Sequence, residues 1–308
     1  MTETAHPIVL YVPGLLPKPE PELHKDALQR CLLASLRRID DDVAAAVATT
    51  AGAFDIVSWT YDFYREHRDF EIDRDAVDDV ISQRAASERD IAEASSWRRR
   101  MTLWIYNLGD RLPFLIPHLA SERTELHLRD LQRYVRDDNG IADHTRRMLK
   151  IPIRAAAEGR HPLLLIGHSM GSVIAYDALW EMSHHDGDRA TVDLLLTMGS
   201  PLGQRYMQKR IRGHELLGAE RYPGNIRAWH NLSARGDLTS IDPKLQNDFR
   251  ELLELDLVDR FVDEEIFTWF RLNGVLNVHA EYGYLVTAAT ARIVADWWRA
   301  HDTSLTGV

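Results

Sequence analysis

The sequence predicts an α/β protein whose mostly parallel sheet is covered by helices on both faces. Three observations carry this. Apolar runs of strand length recur, as in Ile8–Val12, Leu163–Ile166 and Val192–Met198. Segments with apolar residues at helical spacing alternate with them. Finally, Pro13-Gly14, Ser169, Gly199-Ser200-Pro201, Asp237 and His279 all fall at or just after strand ends, where parallel sheets bind their ligands.

Taken in order, Ile8-Val9-Leu10-Tyr11-Val12 reads as a buried strand stopped by Pro13-Gly14. Leu23, Ala27, Leu28, Cys31, Leu32 and Leu36 then mark a helix. Phe54–Trp59 alternates and reads as a second strand. Residues 62–138 carry no strand pattern and are rich in Arg, Asp, Glu and Ala, so they read as a helical insertion in one domain spanning 1–308. Asn139-Gly140 is a turn into a helix over 141–158, expected to kink or break at Pro152. Leu163–Ile166 is the next strand, and Val173, Ile174, Tyr176, Ala178 and Leu179 the helix after it. Strands follow at Val192–Met198 and Ile226–Leu232. Leu245, Phe249, Leu252 and Leu253 suggest a helix, Val275–Val278 a short strand leading to His279, and Tyr284–Arg299 the closing helix.

Bulk properties narrow the function. A chain of 308 residues, 45% apolar, can bury a large core. A net charge of -10 with no basic stripe argues against nucleic acid as a partner. The single cysteine, Cys31, excludes an internal disulfide framework and sits on an apolar helix face as core filling. The first residues lack a secretory pattern and no stretch reaches the length of a membrane span. The expected location is the cytoplasm, with a peripheral membrane contact left open.

Gly167-His168-Ser169-Met170-Gly171 is the most informative segment. The bare G-x-S-x-G pattern arises by chance in about one chain in ten of this length, so context decides. Here a strand precedes it and a helix follows, the setting of a nucleophile elbow. A serine hydroxyl is a weak nucleophile until a base takes its proton, and the base needs an acid to orient it. Of the 14 histidines, His279 is best placed, on a loop between the last strand and the last helix. His230, inside a strand, competes less well. Asp237, after Gly236 at a strand end, is the candidate acid, and Asp242 in an Asp-Pro context is the alternative. An oxyanion needs two fixed N–H donors. Met170, next to the serine, and Leu15, in the turn after the first strand, are the candidates, because Pro13 has no N–H.

Together these residues resemble the α/β-hydrolase superfamily, in its serine esterase and lipase-like branch. The likeness runs from Ile8 to the last helix, apart from the insertion, and rests on residues 167–171, 13–15, 199–201, 236–237 and 279. Gly199-Ser200-Pro201 is similar to the equivalent turn of lipase-like branches, including those acting on lipids and lipid anchors. Two features depart from the pattern. Many members carry His-Gly where this chain has Pro13-Gly14, and the strands that usually precede the oxyanion turn are expected to be absent, since Ile8–Val12 reads as the first strand. The resemblance therefore implies an α/β-hydrolase fold with a reduced sheet of about six strands. It also makes residues 62–138 a candidate lid.

Within that insertion, Trp97, Met101, Leu103, Trp104, Ile105, Tyr106, Leu108, Leu112, Phe114, Leu115, Ile116 and Leu119 form an amphipathic block beside Arg98-Arg99-Arg100, suited to roofing a site. Arg205, Lys209, Arg210 and Arg212 are candidate anion binders or a solvated charge run. His184, His185, Asp186 and Asp188 fit no standard metal spacing. The expected function is hydrolysis of carboxylic esters, lipid esters included, through Ser169, His279 and Asp237, with no cofactor and no metal. A thioesterase, amidase or acyltransferase would use the same residues. The rival of another class is a silent scaffold that binds a lipid or a protein.

Overall fold

The computed structural model describes residues 5–103, 122–240 and 242–302. It is an α/β fold with a six-stranded parallel sheet flanked by helices. The elements that place the site are β1 (Ile8–Val12), α1 (Pro21–Ile39), α2 (Asp41–Thr49), β2 (Phe54–Ile56), α3 (Thr60–Tyr64), α4 (Glu71–Ser82), α5 (Glu88–Ala94), α6 (Glu122–Val135), α7 (Ile141–Glu158), β3 (Leu163–His168), α8 (Met170–His184), β4 (Val192–Met198), β5 (Ile226–Ala234), β6 (Arg260–Ile266), β7 (Arg271–Leu272), β8 (Val275–Leu276), α9 (Glu281–Leu285) and α10 (Ala288–His301).

The strand order is β2-β1-β3-β4-β5-β6, and every pairing is parallel. The chain steps from β1 outward to β2, then returns past β1 and runs the other way. The order thus reverses between β1 and β3, and a crevice opens at such a switch point beyond the carboxyl ends of the strands. Register puts Val12 beside Gly167 and His168 beside Met198, so the turns after β1, β3 and β4 are neighbours.

Alternation along the strands divides the core in two. Val9, Tyr11, Leu164, Ile166 and Leu196 face Leu28 and Leu32 of α1 and Val294 and Trp298 of α10. Leu10, Val12, Leu163, Leu165 and Leu195 face Leu149 and Ile153 of α7 and Val173 and Ile174 of α8. Central strands covered on both faces read as continuous apolar runs, as β3 does. Pro21 starts α1, where its missing N–H costs nothing, and Asp40 both ends α1 and caps α2 through Val43 N–H.

Several expectations are corrected. The sixth strand is β6, whereas Val275-Leu276 pairs only with Arg271-Leu272 in a small antiparallel hairpin. β6 escaped notice because it is an edge strand, Arg-Phe-Val-Asp-Glu-Glu-Ile, with only Phe261 and Ile266 buried. The second strand stops at Ile56. Trp59 instead turns inward, and its indole N–H donates to Pro13 O at 2.9 Å. α7 continues through Pro152, so the helix does not break there. The helix suggested by Leu245 and Phe249 is two single turns, and the closing helix is split into α9 and α10. Thr287 caps α10 through Thr290 N–H.

The described part of 62–138 is helical. Most of the amphipathic block lies outside the described residues. Of its members, Trp97 and Met101 are described and exposed. No helix among the described residues is long and apolar enough to cross a membrane.

Candidate active site

β3 ends at His168, and the chain turns sharply into α8 through Ser169, whose φ of 52° and ψ of -124° are rare for a residue with a side chain. Such a conformation costs about 1–3 kcal/mol and persists only where the surroundings enforce it. Three bonds do so. Ser169 N–H donates to Met198 O at 2.8 Å, and Ser169 O accepts from Ser172 N at 3.0 Å and from Ser172 Oγ at 2.6 Å. Tight packing adds a steric constraint. A Cβ on Gly171 would sit 2.1 Å from Val12 O, so only glycine lets α8 approach the end of β1.

His279, Asp237 and Ser169 form one hydrogen-bonded line. The Ser169 hydroxyl donates to His279 Nε2 at 2.9 Å, and His279 Nδ1 donates to Asp237 Oδ2 at 2.8 Å. The Asp237 carboxylate is fully buried. It also accepts from Tyr284 OH at 2.7 Å on Oδ2 and from Thr239 N–H at 2.8 Å on Oδ1. Burial alone would raise its pKa. The charge and hydrogen bond of His279, with the bonds from Tyr284 and Thr239, outweigh this and bring it to about 2. An ionised acid therefore faces His279. The alternative acid, Asp242, accepts from Lys244 N–H in its own turn. His230 lies within β5, between Leu196 and Val262 of its neighbouring strands.

His279 is placed by its own backbone. His279 N–H donates to Asn277 Oδ1 at 3.2 Å, and His279 O accepts from His168 Nε2 at 2.9 Å. Burial, reinforced by the charge of His279, pushes the His168 imidazole down to about 3. His168 is thus neutral and adds no second positive charge when His279 takes a proton.

The two expected oxyanion donors border the serine. Met170 is the first residue of α8, and the turn carrying Leu15 passes so close that a Cβ on Gly14 would lie 2.8 Å from Ser169 Cβ. Among the described residues, neither the Met170 nor the Leu15 N–H donates a hydrogen bond within the chain. The next amide, Leu16 N–H, is taken by Tyr64 OH at 3.1 Å.

Sequence reasoning missed Tyr284, Thr239 and His168. Tyr284 is five residues past His279, yet no spacing pattern links a tyrosine on α9 to a carboxylate after β5. Gly199, which the sequence marks as a strand end and as the first residue of the Gly-Ser-Pro turn, lies so close that a Cβ there would be 3.1 Å from His279 Nδ1.

Other candidates have structural employment. Arg212 pairs with Glu181 at 3.0 Å, and Arg210 lies over the Tyr206 ring and donates to Tyr206 O. His184 donates to Tyr222 O, while Asp186 and Asp188 pair with Arg154. No group suited to hold a metal occurs among the described residues. Cys31 is buried in the core, and burial pushes its thiol pKa up. The chain matches no family model, no curated protein and no solved structure.

Proposed function

We propose that this protein is a serine hydrolase of the α/β-hydrolase type that cleaves carboxylic esters through an acyl-enzyme. The observation that carries the reading is the continuous line from Ser169 through His279 to the buried Asp237, set beyond the strand ends at the switch point.

In this mechanism Ser169 Oγ attacks the ester carbonyl carbon while His279 Nε2 takes the hydroxyl proton. Asp237 holds the imidazole in the tautomer with Nδ1–H and stabilises the imidazolium. The Met170 and Leu15 N–H groups receive the negative oxygen of the tetrahedral intermediate. The bond to the alcohol oxygen then breaks as Nε2 returns the proton to it. Water, activated by the same histidine, releases the acid from Ser169. No step calls for a cofactor. The apolar block that the sequence carries between Trp97 and Leu119 favours lipid esters within the class.

The test is intact mass after incubation with a fluorophosphonate probe, alongside Ser169→Ala. A single adduct on the wild type and none on the variant is expected. Absence of an adduct on folded wild-type protein would overturn the hydrolase reading in favour of a silent scaffold. A panel of ester, thioester and amide substrates then separates the leaving groups.

A further inference from the structure

Two residues past His279, Glu281 is buried at the start of α9. Its Oε1 accepts from Lys18 Nζ at 2.9 Å and from His24 Nε2 at 3.0 Å. Its Oε2 accepts from Tyr11 OH at 3.4 Å and lies 3.9 Å from His168 Nδ1. These partners come from the turn after β1, from α1, from β1 and from β3. Burial opposes the charge on Glu281, but Lys18 and then His24 overcome it and hold the carboxyl well below its usual range. A buried ion pair is a poor means of adding stability, since apolar residues of the same volume often do as well or better. What the pair does supply here is a fixed distance between two loops.

Those loops carry opposite halves of the site. Lys18 stands three residues after Leu15, and Pro17 and Pro19 flank it. Proline fixes φ, so the link from Leu15 to Lys18 is stiff. On the other side only Ala280 separates Glu281 from His279, whose own carbonyl is held by His168. A displacement of Glu281 relative to Lys18 is therefore a displacement of the base relative to the oxyanion turn.

We propose that Lys18 and Glu281 are positioning residues, an ion pair that holds the oxyanion turn in register with the general base. The proposal rests on the hydrolase reading above. It is tested with Lys18→Met, Lys18→Arg, Glu281→Gln and the Lys18→Met/Glu281→Gln double variant. Lys25→Met, which removes a solvent-exposed pair with Asp55, serves as control. Turnover of a p-nitrophenyl ester is expressed per serine titrated by fluorophosphonate, so that misfolded protein does not count.

Lys18→Met is expected to lower kcat by roughly 10- to 100-fold with KM nearly unchanged, since small misplacements cost about that much. Lys18→Arg should recover most of the loss. The double variant should fall little below the worse single variant, because the two residues act as one unit. Lys25→Met should stay within about twofold of wild type. A Lys18→Met protein with wild-type kcat per titrated serine would overturn the proposal while leaving the hydrolase reading intact. Wild-type protein that neither labels nor turns over ester would overturn both. Lys18 lies at the edge of the cluster, so its variants keep the question open to an answer even where Glu281→Gln fails to fold.

Discussion

The elbow and the acid–base arm meet at one oxygen atom but are built differently. The elbow, from β3 through Ser169 into α8, is set by backbone: a parallel ladder on both sides, a helix start, and a glycine pressed against Val12 O. The arm, comprising Asp237 and His279, hangs from loops and is placed by local turn bonds together with side chains distant in sequence. Tyr284 and Thr239 fix Asp237, while His168, Asn277 and the proposed Lys18–Glu281 brace fix His279. Backbone packing resists small changes and fails abruptly. Side-chain scaffolding fails by degrees, and its failures show in rate and pH dependence before they show in folding.

The elbow should therefore give the largest effect. In Gly171→Ala the new Cβ would lie 2.1 Å from Val12 O and 2.8 Å from Pro13 O, both backbone atoms that no rotamer change can move. We expect a loss of roughly 3 kcal/mol or more in a denaturant titration. A midpoint equal to that of the wild type would show that the end of β1 yields easily, and the contrast between the two regions would collapse.

The same difference explains what could be read from sequence. β3 and β4 are covered on both faces, so Leu163–Ile166 and Val192–Met198 stand out as apolar runs bounded by glycine. The elbow pattern is local and lies within five consecutive residues. β6 is solvated along much of its length, and its charged letters resemble a loop. Val275-Leu276 misled because its apolar letters serve a hairpin turned by Asn273-Gly274, both at positive φ, outside the main sheet. Ser169 and Asp237 stand out by chain order and by the ends of β3 and β5, whereas His279 stands out by chain order alone, because the strand expected ahead of it belongs to the hairpin. Lys18 and Glu281 could not, because 263 residues separate them and neither lies in a local pattern.

Acid should probe the arm more gently than a clash does. His168 has a usual pKa of 6.5 and about 3 in the folded chain, where it is fully buried. Below pH 6.5 the unfolded chain binds a proton that the folded chain refuses. The contribution of His168 is thus complete above pH 6.5 and is lost as pH falls towards 3. At pH 4.5 the loss amounts to about 2–3 kcal/mol. Asp237, depressed from 3.8 to about 2, adds stability above pH 3.8 that is lost as pH falls through 2. Urea titrations between pH 7 and 4.5 should show this slope in the wild type and a flatter one in His168→Gln, which cannot charge. Equal slopes would remove His168 as the source.

The smallest effect concerns the insertion, and it sharpens what the arm rests on. Arg99 reaches from the helical residues 97–103 to Leu276 O at 2.8 Å and, more weakly, to Gly236 O at 3.4 Å. It therefore touches the segment just before Asp237 and the hairpin just before His279. Arg271 on that hairpin also pairs with Asp90 and Glu93 of α5. A roof over the site would act on substrate binding alone, whereas a brace against these loops would act on the chemistry. Arg99→Met removes the contacts and keeps most of the apolar stem, at a cost of about 1 kcal/mol in stability because the guanidinium is partly solvated. If the insertion braces the arm, kcat per titrated serine falls a few-fold at constant KM. If KM alone moves, the insertion only covers the site, and the arm is held from the sheet side, through His168 and Glu281, without it.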